Sequence, residues 1–377
     1  MHPAGVKIAT RGAKILRPAA PGAASTIMKA VILAGGEGTR LRPLTLSIPK
    51  PVAPVVDRPF LRHQLDLLAG AGVSEVVFSV AYHPEQVEAV FGDGRGFGIR
   101  IRYAVESTPL GTGGAVKNAE PLLDERTIVL NGDVLMDLDL ASIVARHEAA
   151  QAAASIVLTP VRNPEAYGLV ETDLEGRVLR FVEKPRPEQI RTNTINAGVY
   201  VLETPVLELM PPGVQYSIER GFFPTLLERG DRVLGPVHEG YWIDIGTPQQ
   251  YLQVHHDILA RRFPVELDGE PRAGGWIHKD ATVSEGTALE APFYVGPGCR
   301  VEPGAHLGPN AVLVADVHVA PGARVRDSVI WRAARIGPEA EVAKSVVGPG
   351  VALGRSSRLV GGLLGEGSVL SDYSRNS

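Results

Sequence analysis

The first two thirds of the chain alternate short apolar runs with segments of helical periodicity. Residues 30–33 (AVIL) end at two glycines, which is typical of a buried strand in a parallel sheet. Further strands are expected at 76–80, 99–105 and 128–130, and helices at about 59–69, 84–91, 113–119 and 248–262. This alternation predicts an α/β domain of βαβ units with a Rossmann-like, mostly parallel sheet.

The pattern changes after about residue 263. From Ile277 to Val325 an apolar residue recurs every six positions, and Gly-Pro or Pro-Gly pairs lie between the repeats. The phase shifts by one residue before Ile330 and again before Val347. A period of six fits neither a single strand nor an α-helix. It is typical of a left-handed parallel β-helix of hexapeptide repeats, with three repeats to a coil and therefore four or five coils.

Three parts follow from these patterns: residues 1–27, residues 28–262 and residues 263–377. The first part is basic and has no acidic residue, so a transit peptide is one interpretation. We instead expect a disordered leader or a start codon assigned too early, because Met28 directly precedes the first strand.

The composition argues against several classes of function. The formal net charge of −4 argues against a nucleic-acid or membrane-surface binder, so anionic ligands must be held by a few placed cations. Cys299 is the only cysteine, which excludes an internal disulfide and fits a reducing, cytoplasmic compartment. No stretch approaches the ~18 apolar residues needed to span a bilayer.

A glycine-rich loop, residues 35–40 (GGEGTR), directly follows the first predicted strand. Ligands bind at the carboxyl edge of parallel sheets, and glycines let backbone N–H groups approach phosphate oxygens. Thr39 adds a hydroxyl group and Arg40 a fixed charge. The loop is neither a dinucleotide fingerprint nor a P-loop, since no Gly-Lys-Ser/Thr follows. It predicts a phosphate-binding loop, with a tight turn at the strand exit as the alternative.

Lys50 is a second candidate for phosphate binding. It lies between Pro49 and Pro51, and prolines on both sides stiffen the backbone that carries the long side chain. A solvated surface lysine is the alternative.

Two acidic residues follow apolar runs. Asp133 comes directly after the strand at 128–130 and could hold Mg²⁺ at the sheet edge, or it could form an Asx turn. Asp244 precedes the helix that starts near Thr247-Pro248, where an N-cap region is the alternative. The sequence leaves open whether the two carboxylates meet on one metal ion.

Glu183, Lys184 and Asn196 are candidates for sugar recognition. A carboxylate and an amide suit vicinal hydroxyl groups, and a lysine suits a phosphate. Their spacing does not distinguish them from exposed strand ends.

These motifs together, in this order, resemble the nucleotide-sugar pyrophosphorylases over nearly all of residues 28–370. The motifs that carry the resemblance are 33–43 (LAGGEGTRLRP) with Lys50-Pro51, 109–114 (PLGTGG), Asn131-Gly132-Asp133, Tyr167-Gly168, Glu183-Lys184-Pro185, Asn196-Ala197-Gly198 and 242–246 (WIDIG).

The resemblance implies roles for individual residues. The residues expected to bind the NTP are Leu33, Ala34, Gly35, Gly36, Gly38, Thr39, Arg40, Lys50, Gly111 and Thr112. Those expected to bind the sugar phosphate are Gly168, Glu183, Lys184 and Asn196. Arg40, Lys50, Asp133 and Asp244 would be catalytic, and Asp133 and Asp244 would hold Mg²⁺ as the cofactor.

The implied reaction transfers a nucleotidyl group from an NTP to a sugar 1-phosphate and releases pyrophosphate. The resemblance is greatest to the branch that joins GTP and mannose 1-phosphate. A glucose-1-phosphate uridylyl-, adenylyl- or thymidylyltransferase, or a catalytically silent regulatory homologue, remains open. We expect the NTP and the sugar phosphate as partners, neither nucleic acid nor membrane, and a homo-oligomer.

Overall fold

The computed structural model describes residues 28–183 and 185–376. The strands of the N-terminal domain are β1 (Lys29–Leu33), β2 (Pro54–Val55), β3 (Arg58–Pro59), β4 (Glu75–Val80), β5 (Arg100–Val105), β6 (Arg126–Asn131), β7 (Val134–Met136), β8 (Ala154–Pro160), β9 (Gly168–Thr172), β10 (Val178–Glu183), β11 (Thr194–Glu203), β12 (Val233–Leu234) and β13 (Trp242–Asp244). Its α-helices are α1 (Phe60–Gly70), α2 (Pro84–Phe91), α3 (Gly111–Ala119), α4 (Leu140–Ala149), α5 (Phe223–Glu228) and α6 (Pro248–Leu259).

The central sheet has the order β10-β9-β11-β6-β1-β4-β5, and β8 pairs with β11. Strands β6, β1, β4 and β5 are parallel, whereas β11 runs antiparallel to β6. The prediction of a Rossmann-like, mostly parallel sheet is therefore confirmed, with an antiparallel extension on one side. Parallel strands bury both faces. Accordingly Ala30 and Ile32 pack into one apolar cluster and Val31 into another, all three fully buried.

The ends of α3 and α6 differ from the sequence expectation for local reasons. Helix α3 starts at Gly111 instead of residue 113, because Gly111 adopts a positive φ of 69° that turns the chain into the helix. Helix α6 is capped by Thr247, whose hydroxyl accepts from the N–H of Gln250. It ends at Leu259 instead of residue 262, since Arg261 adopts a left-handed φ of 57°.

The C-terminal domain is the expected parallel β-helix, introduced by a short strand β14 (Glu270–Arg272) antiparallel to its first coil. The first sheet contains β15 (Gly275–Ile277), β18 (Phe293–Val295), β21 (Ala311–Leu313), β24 (Val329–Ile330), β27 (Val346–Val347) and β30 (Leu363–Leu364). The second contains β16 (Thr282–Val283), β19 (Arg300–Val301), β22 (His318–Val319), β25 (Arg335–Ile336), β28 (Ala352–Leu353) and β31 (Val369–Leu370). The third contains β17 (Ala288–Leu289), β20 (His306–Leu307), β23 (Arg324–Arg326), β26 (Glu341–Ala343), β29 (Arg358–Val360) and β32 (Arg375–Asn376).

The β-helix has six coils, so the sequence estimate of four or five was too low. The six-residue repeat shifts where the chain passes from a strand of the third sheet to the next strand of the first sheet. There the later coils turn through a single left-handed residue: Asp327, Lys344 or Gly361. Each such turn is one residue shorter than its counterpart in the first coils. Ser345 stabilises the shorter turns, because its N–H donates to Ser328 Oγ at 3.1 Å.

The first sheet of the β-helix packs against the N-terminal domain. Its outward side chains Tyr294, Val312, Val329 and Val346 belong to the same buried apolar cluster as α1 and α6. These four side chains come from successive strands of the first sheet and form an apolar interface between the two domains.

Polar contacts fix the same interface near β2 and β3. The N–H of Asp268 donates to Asp57 Oδ2 at 2.8 Å, and Arg58 donates to the carbonyl of Glu266. Within the described residues, no helix is both long and apolar enough to cross a membrane.

Leu307→Ala should reduce the free energy of unfolding by about 2–5 kcal/mol, because Leu307 is 0% exposed inside the β-helix and the change leaves a cavity. Urea denaturation of the full chain measures the effect. The matched control is Leu174→Ala, at a side chain that is 102% exposed, where the change should stay within about 0.5 kcal/mol. Equal effects at the two positions would contradict the assignment of the β-helix interior.

Candidate active site

A cleft of about 390 Å³ opens at the carboxyl edge of the parallel strands, between the loop after β1 and the start of α3. This volume lies within the range of small-molecule and nucleotide sites. All ten residues expected to bind the NTP line the cleft, and so does Asp133: Leu33, Ala34, Gly35, Gly36, Gly38, Thr39, Arg40, Lys50, Gly111, Thr112 and Asp133.

The glycine-rich loop is shaped by close contacts that exclude side chains. Gly38 adopts a φ of 62°, and a Cβ there would lie 3.2 Å from Cγ2 of Thr45. The Thr45 hydroxyl donates to the Gly38 carbonyl at 2.8 Å, which closes the loop on itself. Gly36, by contrast, has no protein atom near the position of a Cβ. Its backbone is therefore open to the cleft, as phosphate binding requires.

Lys50 is buried at the base of the cleft rather than solvated. It is 7% exposed and begins a short 3₁₀ turn, Lys50–Val52, after Pro49. Its Nζ lies 3.3 Å from Oδ2 of Asp133. The attraction between the Lys50 ammonium and the Asp133 carboxylate holds the lysine side chain in place, where it lines the cleft.

The two candidate acids, Asp133 and Asp244, are brought together by a small antiparallel ribbon. In the β7–β13 ribbon, Asp244 pairs with Val134, and the N–H of Ile245 donates to the Asp133 carbonyl at 2.9 Å. Burial raises the pKa of Asp244, and the charge of Asp133 raises it further, while Lys50 and Arg40 oppose the shift. The carboxylates of Asp133 and Asp244 are therefore neighbours.

Arg40 completes this charged group. A Cβ on Gly246 would lie 2.5 Å from Nη2 of Arg40 and 2.9 Å from Oδ1 of Asp244, so the guanidinium passes over Gly246 beside the acid. Glycine at 246 is what makes room for it.

The acid pair suits a divalent cation. Oδ1 of Asp244 is buried and has no hydrogen-bond partner among the described residues, which is costly unless a ligand satisfies it. Mg²⁺ is commonly held by one or two carboxylates together with substrate phosphates. Among the residues that the structure describes, no group of three or more His, Cys, Asp or Glu side chains forms a further metal site.

Glu106 lines the cleft and was missed by the sequence reasoning. It follows β5 and is 7% exposed; Oε1 accepts from the Ser79 hydroxyl at 2.9 Å and Oε2 from the Leu110 N–H at 2.8 Å. It directly follows the strand predicted at 99–105, and an acidic residue shortly after a predicted strand is the signal that identified Asp133. Applied to every strand end, that signal would have found it.

Gly111 and Thr112 face the cleft with their backbone, because their other contacts are internal. The Thr112 hydroxyl donates to Glu219 at 2.8 Å and accepts from the N–H of Ile218 at 2.9 Å. A Cβ on Gly111 would lie 2.8 Å from the carbonyl oxygen of Tyr216. These contacts fix the start of α3 against the wall of the cleft.

Of the residues expected to bind the sugar phosphate, Gly168 and Asn196 lie outside the cleft lining. Gly168 pairs with Glu183 between β9 and β10, while Lys184 lies outside the described residues. The Asn196 amide is engaged internally: it donates to the Tyr200 hydroxyl at 2.8 Å and accepts from the Gly198 N–H at 2.9 Å.

Two aromatic residues connect this region to the acids. The Tyr167 and Trp242 rings lie 5.5 Å apart at 77°, and Trp242 donates to the Ala197 carbonyl at 2.9 Å. Burial raises the pKa of Tyr167, and the charge of Asp244 adds to the shift. Tyr167 and Trp242 thus form a wall that runs from Asp244 towards Gly168 and Asn196.

A parallel sheet with an open glycine-rich loop, a buried lysine, an exposed arginine and paired acids at its carboxyl edge defines an enzyme that acts on a nucleoside triphosphate. Residues 29–261 match the family described as "Nucleotidyl transferase", and residues 276–374 match the "GMPPB C-terminal domain". The chain belongs to the nucleotidyl transferase family. The resemblance to the nucleotide-sugar pyrophosphorylases inferred from the motifs is confirmed.

Individual relatives agree with this assignment. A mannose-1-phosphate guanylyltransferase of Mycobacterium tuberculosis is 42% identical over 295 residues, covering 78% of this chain and 81% of the relative. A UTP–glucose-1-phosphate uridylyltransferase of Synechocystis sp. is 33% identical, covering 82% and 84%. The crystal structure of HddC from Yersinia pseudotuberculosis complexed with GMP-PN is similar with a TM-score of 0.52 and 31% identity, covering 60% of this chain and 97% of HddC.

Gly246→Ala should lower the rate of pyrophosphate release by about tenfold, because the new methyl group displaces the Arg40 guanidinium from Asp244. Steady-state kinetics and thermal unfolding are measured together, and the unfolding temperature should change little. Gly70→Ala, at a helical glycine with open space around it, is the matched control and should keep full activity. Normal turnover in Gly246→Ala would show that Arg40 does not act from this position.

Proposed function

We propose that this chain transfers the GMP moiety of GTP to mannose 1-phosphate and releases pyrophosphate. The supporting observation is the convergence of Arg40, Lys50, Asp133 and Asp244 at one end of the nucleotide-sized cleft. The relative from M. tuberculosis supports the choice of both substrates, and HddC with its bound GMP-PN supports the guanine base.

Glu106 supports guanine on chemical grounds. Its carboxylate lies beside Gly35, and Pro109, Gly111 and Ala115 line the same cleft, where we place the base. Guanine presents two adjacent donors, N1–H and the 2-amino group, whereas an ionised carboxylate offers only acceptors. Oxygen lone pairs that Ser79 and Leu110 leave free would accept from such donors. Adenine and uracil present a donor next to an acceptor and match less well.

The sugar 1-phosphate would bind on the other side of the acids, against Tyr167 and Trp242. We assign Gly168, Glu183, Lys184 and Asn196 to this region as the residues that receive the sugar and its phosphate. Support comes from the pairing of Gly168 with Glu183 and from the contact of Trp242 with the Asn196–Gly198 turn. The Asn196 amide donates once and accepts once internally, so it would meet the sugar through its second N–H and its second oxygen lone pair.

In the proposed reaction an oxygen of the sugar phosphate attacks the α-phosphorus of the NTP in line. A new P–O bond forms, and the bond to the β-phosphate oxygen breaks with its electron pair leaving on pyrophosphate. The nucleophile is already anionic, so no general base is needed. The chain contributes positioning and charge: loop N–H groups and Arg40 bind the departing phosphates, and Lys50 binds near the reacting centre.

Asp133 and Asp244 are the residues that would hold Mg²⁺. The orphaned Oδ1 of Asp244 and its proximity to Asp133 fit that role. When bound, the cation would neutralise phosphate charge beside the reacting phosphorus. The positive charge of Lys50 offsets the electrostatic repulsion between the two carboxylates.

Two other functions are less well supported. The uridylyltransferase of Synechocystis sp. favours UTP and glucose 1-phosphate as the second candidate pair. A silent regulatory homologue would be expected to lose a charged residue of the cleft, and here Arg40, Lys50, Asp133 and Asp244 are present and adjacent.

We also place the enzyme in the cytoplasm and propose a homo-oligomer. The single thiol, Cys299, is fully buried, and burial raises its pKa to about 12, so it is unreactive and fits a reducing compartment. The β-helix uses one sheet against the N-terminal domain, which leaves the other two available for contacts between copies.

A grid of GTP, ITP, UTP, ATP and dTTP against mannose-, glucose- and N-acetylglucosamine 1-phosphate, scored by pyrophosphate release, tests the substrates. We expect the highest kcat/KM for GTP with mannose 1-phosphate. Glu106→Gln should reduce the preference for GTP over ITP by about tenfold, because ITP lacks the 2-amino donor. The matched control is Glu88→Gln on the exposed surface of α2. A best rate with UTP and glucose 1-phosphate would establish the second candidate instead.

Asp133→Ala should lower kcat by at least about a hundredfold while the unfolding temperature stays near that of the wild type, because an electrostatic group at the reacting centre is lost. In a Mg²⁺ titration, the residual activity should depend more weakly on the Mg²⁺ concentration, because only Asp244 remains to hold the ion. Asp280→Ala, at an exposed carboxylate of the β-helix, serves as the control. Activity of Asp133→Ala like that of the wild type would remove Asp133 from the metal site.

A further inference from the structure

The last coil of the β-helix touches the segment that follows the glycine-rich loop. A Cβ on Gly365, just after β30, would lie 3.0 Å from Cβ of Pro43 and 3.3 Å from its carbonyl oxygen. Gly365 is buried, although it belongs to the terminal coil, where nothing stacks beyond it. A loop near the start of the chain is therefore in contact with a corner near its end.

The space for a side chain at Gly365 is closed by different atoms from those at Gly348, which occupies the equivalent corner one coil earlier. At Gly348 a Cβ would lie 2.7 Å from the carbonyl of Leu364 in the next coil, so stacking itself excludes it. No next coil of the described chain covers Gly365. The nearest atoms to its missing Cβ belong to Pro43, so it is the N-terminal domain that leaves no room.

Pro43 is mechanically linked to the phosphate loop. It lies three residues after Arg40, and its neighbours Leu41 and Leu44 are each only 2% exposed in the apolar cluster. Its carbonyl accepts from the N–H of Leu46, and Thr45 in the same turn donates to the carbonyl of Gly38. Because Thr45 bonds this turn to Gly38, a shift of Pro43 would strain the segment that carries Gly38 and Arg40.

The β-helix also supports the second cationic segment. Trp331, at the same corner two coils before Gly365, packs against Tyr251 of α6 with ring centroids 6.2 Å apart. The Tyr251 hydroxyl donates to the carbonyl of Pro54, which lies two residues beyond the turn that carries Lys50. The segments of Arg40 and Lys50 are thus both supported by the same corner of the β-helix.

We propose that Gly365 is a positioning residue for catalysis: the last coil of the β-helix supports the loop from Gly38 to Thr45 and so sets the place of Arg40 on the NTP phosphates. This role rests on the proposed function of the loop. It gives the β-helix a part in NTP binding in addition to assembly.

The test is a graded series at this corner. Gly365→Ala requires Pro43 to yield by a few tenths of an ångström, and Gly365→Val requires more. We expect kcat/KM for the NTP to fall about threefold in the first variant and more than about tenfold in the second, since displacements below 1 Å already matter at a reacting centre. The KM for the sugar phosphate should be unchanged. Hydrogen–deuterium exchange of the segment 38–46, measured without substrates, should rise in the same order.

Two controls separate this role from general damage. Gly96→Val places the same side chain at an open position remote from the cleft, and Glu366→Ala changes an exposed side chain of the same coil. Both should keep the kinetics of the wild type. If Gly365→Val unfolds, the Ala variant and the exchange measurement carry the test.

NTP kinetics within twofold of the wild type in both variants, with unchanged exchange of the loop, would overturn the inference. A parallel loss for both substrates would overturn it too, because it would indicate damage to the whole fold. Failure of the wild type to use any NTP would instead count against the proposed function, while the exchange measurement would still report on the contact.

Discussion

The site depends on the placement of two partly buried carboxylates, Asp133 and Asp244, side by side. Like charges at short range repel, and burial adds to the cost, which is why the pKa of Asp244 is raised. Lys50 and Arg40 offset this repulsion, and each is held by an unusual local feature: Lys50 by a turn between prolines, Arg40 by the space above Gly246. The ribbon of β7 and β13 supplies the register that makes the pair possible. Without that register Asp244 would not lie beside Asp133 and Arg40, and the group of charges in the cleft would be incomplete.

The rest of the fold can be understood as support for this group. Parallel strands β1, β4, β5 and β6 bring the glycine-rich loop, Glu106 and Asp133 to one edge, because parallel strands end on the same side of a sheet. The antiparallel extension carries Gly168 and Asn196 to the neighbouring region. The β-helix then closes one side of the N-terminal domain through its first sheet. Loops form the site, and packed layers behind them hold each loop in place.

Local patterns predicted most elements, and long-range pairing accounts for what they missed. Residues 30–33 and the six-residue repeat carry their structure in the sequence itself, since burial on both faces or inside a coil demands apolar residues at fixed spacing. The number of coils was underestimated because a third short turn, at Gly361, shifts the phase again before the last coil. That Asp133 meets Asp244 follows from strand pairing that no periodicity encodes. The internal engagement of Asn196 likewise depends on Tyr200 and a local turn, which composition cannot show.

The contact between Pro43 and Gly365 joins segments from opposite ends of the described chain. A ribosome makes the glycine-rich loop before Asp244, and Asp244 before the last described coil of the β-helix. An unfinished chain can therefore form the parallel sheet and expose a phosphate-binding loop while it still lacks both the second acid and the corner behind Pro43. High contact order of this kind also slows folding, because the ends must meet before the contact can stabilise anything. The site is thus complete only once the last described coil has been made, and a product terminated before that coil would be left with an unsupported loop.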